Sequence, residues 1–364
     1  MREVSRRLSR PPYTDLGENQ RLEPIFPAGV APTLELWRRE RERLGKRWDS
    51  VLGRPSFGEF DKTPQVIGRF EDPDYRGTIF RQPTGPETRQ LVLLMEPTRV
   101  RITPRPGAVV PFYHPDQMAG YDLQRRKPIA DGESFQFGQK STPCRRIIQF
   151  GRHLVQQGYV VVCTEAFPYN TVPEPEKDEG FAWWQAAAEK LLRDNPNWTG
   201  IAKLAWDTSR ATDVLLNQPD IDKDRIVVMG HSLGGKMSFY TGVLDERIKA
   251  IIGSDFGMGW KFTNWDAPWY LGDQIKRPDF TLAHHQLLAL HAPRSFLLIG
   301  GEADRPASWQ YIQEAQKVYK LYGREDAVGF FDHASGHSPT EESLRLAYRS
   351  LAEHFNLPEQ PWLL

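Results

Sequence analysis

Ser232 lies in the stretch GHSLGGKM, residues 230–237, with a glycine two before it and another two after it. It follows the apolar run IVVMG and opens the helical pattern HSLGGKMSFYTGVL. A serine on so tight a strand-to-helix turn projects its hydroxyl from the end of a sheet, and the free amides of the new helix can receive an oxyanion. The chemistry this prepares is attack on an acyl carbon. The hydroxyl then needs a base, and an imidazole with a pKa of about 6.5 can take its proton and pass it to a leaving group. His337, in FFDHASGHSPTEE, falls between the last strand pattern and the last helix pattern, with Gly336 allowing a close loop approach and Ser338-Pro339 starting the helix. His333 is the competing imidazole. The acid that orients the base is expected at Asp304, four positions past Gly300 after the apolar run SFLLIG, ahead of Glu302 in the tighter turn. Asp255, just past the strand expected at 248–253, is the remaining candidate. Oxyanion donors are expected at the Leu233 amide and in the loop His114-Pro115-Asp116-Gln117. Pro115 has no N–H, which leaves Asp116 or Gln117.

These groups must be positioned by a scaffold, and its rhythm is readable. Residues 65–113 hold four apolar or alternating runs separated by Asp-Pro, Pro-Thr-Gly-Pro and Pro-Arg-Pro-Gly breakers, which predicts strands and turns. Helix and strand then alternate: helices near 144–157, 199–217, 233–243, 307–322 and 340–354, strands near 159–164, 225–229, 248–253, 295–300 and 327–331. That alternation specifies an α/β fold, a mostly parallel sheet with helices on both faces. Leu34, Trp37, Leu44, Trp48 and Val51 recur at helical spacing over 33–51 opposite a charged face, so residues 1–64 are expected as an N-terminal arm and amphipathic helix packed on a catalytic domain of 65–364. Residues 1–30, polar and proline-bearing, read as a surface-bound or disordered arm. Between the strands near 248–253 and 295–300 run about forty residues, long for one connection, and 254–291 is expected as a lid-like insertion.

DIDKDRIVVMGHSLGGKMSFYTGVLDERIKAII, with LVQQGYVVVCTEAFPYN upstream and GHSPT downstream, resembles α/β-hydrolases of the dienelactone-hydrolase and acetyl xylan esterase type. The resemblance covers roughly 65–355 and is strongest at 199–260 and 291–340. It implies an eight-stranded, mostly parallel sheet and a cofactor-free serine triad that cleaves esters, matched here at Ser232, Asp304 and His337. Acylated sugars are the substrates it favours, with lactones and other short esters behind. One departure is His114-Pro115 where relatives carry His-Gly, which affects the second oxyanion donor and leaves the nucleophile untouched.

Lys plus Arg and Asp plus Glu both number 47, so no net field recruits nucleic acid or an anionic membrane, and a small-molecule ester is the expected partner. Self-association is left open. Cys163 sits inside an apolar strand pattern and Cys144 is its only companion, which points to a reducing compartment and, with no apolar leader after Arg6-Arg7, to the cytoplasm. Trp260, Trp265, Trp269, His284, His114 and His231 are candidates for the substrate pocket, since aromatic faces stack on sugar rings. His284, His285 and His291 lack the spacing and the Cys or Glu partners of a metal site, so no metal or other cofactor is expected. A serine peptidase of this fold usually carries a propeller domain that sixty N-terminal residues cannot build. An acyltransferase differs only in excluding water. A ligand-binding relative without activity has no need of an intact serine, acid and histidine.

Overall fold

The computed structural model describes residues 2–99, 102–137, 140–173, 180–360 and 362. The four early runs form β1 (Gln65–Glu71), β2 (Tyr75–Pro83), β3 (Arg89–Pro97) and β4 (Arg105–Pro111). The apolar runs that alternate with helices form β5 (Val160–Thr164), β6 (Ile221–His231), β7 (Ala250–Ser254), β8 (Ser295–Gly300) and β9 (Val328–Asp332). All nine join one sheet in the order β1-β2-β3-β5-β4-β6-β7-β8-β9. The pairings β5-β4, β4-β6, β6-β7, β7-β8 and β8-β9 are parallel, while β1-β2, β2-β3 and β3-β5 are antiparallel. The eight strands implied by the resemblance are therefore extended by one. β1 is the addition, an edge strand with Val66 and Ile67 exposed and its register shifted between Val66 and Gly68.

The chain steps from β4 to β5 on one side and then to β6 on the other. That reversal opens a crevice at the carboxyl ends of β4 and β6, where ligands of open parallel sheets bind.

The principal helices are α1 (Glu3–Leu8), α2 (Leu34–Leu52), α3 (Pro115–Ala119), α4 (Phe150–Gln156), α5 (Ala182–Asp194), α6 (Gly200–Leu216), α7 (Leu233–Leu244), α8 (His284–His291), α9 (Ser308–Leu321) and α10 (Glu341–Phe355). They cover both faces. One core gathers Trp37 and Trp48 of α2, Leu204 of α6, Phe239 of α7, Leu288 of α8 and Trp309 of α9; the other gathers Leu154 of α4, Leu344 and Leu351 of α10, and Val4 and Leu8 of α1. No helix among the described residues is long and apolar enough to cross a membrane.

The N-terminal stretch lies along the surface, most of it exposed, and is held there at a few points. The backbone N–H groups of Val4 and Ser5 both donate to the Glu353 carboxylate on α10 at 2.9 Å, and Ile25 and Phe26 are buried in the first core. α2 follows its periodicity beyond the first turn: Thr33 accepts the Leu36 N–H as its cap, Trp37, Leu44, Trp48 and Leu52 are buried while Leu34 is exposed, and the charged face is laced by pairs such as Lys46 with Glu42 at 2.6 Å. Beyond β5, α5 packs on the body of the protein and buries Trp184, Ala187, Ala188 and Leu191.

Candidate active site

Ser232 is held at φ 53°, ψ −115°, a region that non-glycine residues enter only under constraint. The constraint is visible on both sides. Its N–H donates to the Ser254 carbonyl at 2.7 Å, tying the turn to the end of β7. A Cβ on Gly230 would stand 2.1 Å from the Gly234 carbonyl oxygen, and one on Gly234 would stand 2.2 Å from the Pro111 carbonyl oxygen. Both positions therefore require glycine, and the second presses the turn against the end of β4. Leu233 follows as the first residue of α7, where amides have no acceptor within the helix.

His337 Nδ1 lies 2.5 Å from Asp255 Oδ2. The imidazole is half-exposed and the carboxylate is fully buried. Asp255 itself leaves β7 at φ 45°, a left-handed conformation that aspartate tolerates better than most residues. Its other oxygen, Oδ1, accepts four successive backbone N–H groups, those of Gly301, Glu302, Ala303 and Asp304, at 2.9–3.1 Å. Burial alone would raise its pKa, but the bond from His337 and the ring of amides outweigh it and hold the carboxyl below its ordinary value. The group is thus a fixed anion. The other imidazole nitrogen, Nε2, makes no hydrogen bond to the described residues, so the serine–histidine contact is not closed here; such contacts often tighten only around substrate.

Asp304 is not at the imidazole. It is completely buried, with Oδ1 accepting the Met258 N–H at 2.7 Å and the Ser308 hydroxyl at 2.8 Å, and Oδ2 accepting the Gly257 N–H at 2.8 Å. The two aspartates brace each other's loops, Asp255 collecting amides from 301–304 and Asp304 collecting amides from 257–258. Burial, with some repulsion from Asp255, pushes Asp304 up to about 6. Glu302 is exposed to solvent. His333 is occupied with Ser335, Nδ1 to Oγ at 2.9 Å, and does not share in the pair.

His231 is buried with its ring centroid 4.6 Å from that of His337, and Nδ1 meets Ser254 Oγ at 3.1 Å. Burial, reinforced by His337, drives its pKa to about 3, so it stays neutral beside the base. His114 stands in the loop after β4, and Asp116 and Gln117 occupy the first turn of α3, all three largely buried. The tryptophan candidates divide. Trp265 and His284 are wholly buried with their polar atoms spent, Trp265 Nε1 on the Gly257 carbonyl, His284 on the Met258 carbonyl and the Tyr240 hydroxyl. They are core rather than pocket wall, and Trp48 of α2 stacks on His284 with ring planes 7° apart. Trp260 is partly open, its Nε1 bound to the Leu282 carbonyl. Trp269 belongs to a row of rings that starts at the loop after β4: Tyr113, then Trp184 at 5.6 Å, Trp269 at 6.0 Å, and exposed Phe181 stacked on it at 5.2 Å.

Lys236, one turn beyond Ser232, received no role from its sequence position. It is buried; Nζ donates to Asn264 Oδ1 at 3.1 Å and lies over the rings of Tyr270 at 4.2 Å and Trp265 at 4.6 Å. Burial lowers its pKa to about 7. A charge in the otherwise small and apolar first turns of α7 was the available signal. Through Lys236 the 254–291 segment is bound to the helix that follows the serine.

A nine-stranded sheet in this order, a constrained serine after the central strand and a histidine before the last helix define the α/β-hydrolase fold. Among solved structures the chain is similar to a glucuronoyl esterase from Solibacter usitatus (TM-score 0.67, 17% identity, 94% of this chain and 98% of that one). It is also similar to a promiscuous CE15 esterase from a marine bacterial metagenome (0.67, 18%, 93% and 97%) and to an acetyl xylan esterase-like protein from Bacteroides fragilis (0.65, 18%, 86% and 79%). A fungal glucuronyl esterase family model matches residues 141–271. Two curated proteins match at 26% identity. One is the carbohydrate esterase MZ0003 of an unknown prokaryotic organism, over 37% of this chain and 36% of that protein; the other is the hydrolase-like YtaP of Bacillus subtilis (strain 168), over 52% and 63%. The matched stretches thus span less than two thirds of either curated relative.

Proposed function

We propose that the chain is a serine carboxylic-ester hydrolase acting on esters of carbohydrates, with Ser232 as nucleophile, His337 as base and Asp255 as acid. The observation that carries this reading is the 2.5 Å contact of His337 with a buried, amide-anchored Asp255 beside a constrained serine. Ser232 Oγ attacks the acyl carbon as His337 Nε2 takes its proton, and Asp255 keeps the ring in the tautomer that leaves Nε2 free to accept. The amide of Leu233 and an amide of the loop after β4, at Asp116 or Gln117, receive the oxyanion. His337 then protonates the departing alcohol, and water, activated by the same imidazole, releases the acid.

Carbohydrate as the substrate class rests on the names of the similar proteins and on the row from Tyr113 to Phe181, whose faces suit sugar rings. Both acetylated sugars and alcohol esters of glucuronic acid place an acyl carbon next to such a ring. The test is an aryl fluorophosphonate followed by peptide mapping, together with hydrolysis of a short aryl acetate, an acetylated xylose and methyl glucuronate. The expected adduct is on Ser232 and disappears in Ser232→Ala along with all turnover. A wild type that takes no phosphonate, or a Ser232→Ala variant that hydrolyses esters at the wild-type rate, ends the reading.

A further inference from the structure

A second cluster of titratable groups lies outside the triad, at the loop after β4. His114 Nδ1 is 2.7 Å from Asp116 Oδ1, and its Nε2 is 4.0 Å from Glu165 Oε2. Each carboxylate is anchored by its remaining oxygen. Asp116 Oδ2 accepts the Leu123 N–H at 3.0 Å, and Glu165 Oε1 accepts the Leu91 N–H of β3 at 3.0 Å. Glu165 directly follows β5 and is buried to 4% exposure, a place where an apolar side chain would cost nothing to desolvate. Burial pushes its carboxyl up to about 7. Burial alone would lower the His114 pKa, but Asp116 and then Glu165 outweigh it, and the imidazole is held above its ordinary value.

The place of this cluster gives it a purpose. The Phe112 N–H donates to the Thr164 carbonyl and the Ala166 N–H to the Tyr113 carbonyl, so the loop runs along the end of β5. On its other side it abuts the serine turn: Gly234 has room for no side chain against the Pro111 carbonyl oxygen, and the Phe112 ring centroid is 6.5 Å from that of His231. His114 ties this loop to its own continuation through Asp116 and approaches the end of β5 through Glu165.

We propose that His114, wedged between the carboxylates of Asp116 and Glu165, is a positioning residue that fixes the loop after β4 to the end of β5, so that the segment abutting the serine turn keeps its place, and thereby sets the rate of acyl transfer at Ser232. The proposal rests on the esterase reading above. A positioning role acts on the transition state more than on substrate binding, so its loss falls on kcat; displacement of reacting groups by about 1 Å costs on the order of 100-fold.

The test measures kcat and KM on a short aryl ester, per active site counted by fluorophosphonate, for wild type, His114→Ala, His114→Asn and Glu165→Gln. His114→Ala is expected to lose about 100-fold in kcat with KM within about twofold of wild type. His114→Asn keeps an N–H donor toward Asp116 and is expected to regain at least about tenfold of that loss. Glu165→Gln removes one charge, retains the acceptor for Leu91, and is expected to fall between wild type and His114→Ala. Where His114→Ala does not fold, the other two variants decide. Wild-type kcat in the variants that fold, a loss confined to KM, or an asparagine no better than alanine overturns the proposal while leaving the esterase reading intact. A wild type that neither hydrolyses esters nor takes phosphonate overturns both.

Discussion

Asp255→Asn is expected to lower kcat on a short ester by about 10⁴ with little change in KM, whereas Asp304→Asn lowers it by no more than about tenfold. The difference follows from where the four oxygens point. An asparagine at 255 keeps a carbonyl oxygen for the amides of 301–304, so the loop holds its shape. Its NH₂ then faces His337 Nδ1 in place of Oδ2. A donor there makes Nδ1 the acceptor and moves the ring proton to Nε2, the tautomer that cannot take a proton from Ser232. The variant should remain folded, with at most a modest fall in melting temperature from loss of the amide-held anion, and be nearly dead, approaching the floor set by Ser232→Ala. Steady-state kinetics beside thermal unfolding read both quantities. A greater loss of kcat at Asp304 than at Asp255 would mean that the relay runs through the carboxyl end of β8 after all.

Asp304→Asn, by contrast, is expected to act on stability. An NH₂ in place of Oδ2 confronts the Gly257 N–H with another donor and leaves a buried amide unpaired, at about 1–3 kcal/mol. The pH dependence carries a second signature. The folded-state pKa is raised, from 3.8 to about 6, so the proton-linked stabilisation is fully present below the unfolded value and is lost as pH climbs through the folded one. Between pH 5 and pH 7 that loss is on the order of 1 kcal/mol in the wild type. Asparagine does not titrate, so the stability gap between wild type and variant should shrink by that amount over the same interval. Urea unfolding at the two pH values measures it. A gap that is constant, or that widens toward pH 7, removes Asp304 as the titrating group.

Much of this was legible in the residues because it depends on local chemistry. An apolar run followed by glycines two before and two after a serine has few uses, and the close contacts of Gly230 and Gly234 show why smaller residues alone are admitted. Helices with one apolar face, such as Leu34–Leu52, declared themselves for the same reason. The carboxylate that pairs with His337 was expected at Asp304 rather than Asp255 because both follow apolar strands and both end up buried within the same pair of loops. Their sequence contexts are alike. Only the crossing of the loops in space decides which carboxylate faces outward to His337 and which turns inward to Met258 and Ser308. The anchors of the arm escaped notice for a different reason: Val4, Leu8, Ile25 and Phe26 are too few and too scattered to register as a pattern in a polar stretch. Trp265 and His284 illustrate a third limit. Side chains that suit a sugar pocket also suit a core, and residue type does not distinguish them.

Asp255 is also the first residue past β7, the point from which the tryptophan-bearing stretch departs. The carboxylate that pairs with His337 and Trp269, one ring of the row that begins at Tyr113, are therefore carried on one unbroken run of backbone, cinched at its root by Asp304 and along its length by Lys236. Retargeting such an enzyme by exchanging that stretch wholesale would disturb the proton relay along with the selectivity. Variants that respect the anchoring at residues 255–258 and 264–270, and alter the rings facing outward from it, are the ones with room to diverge.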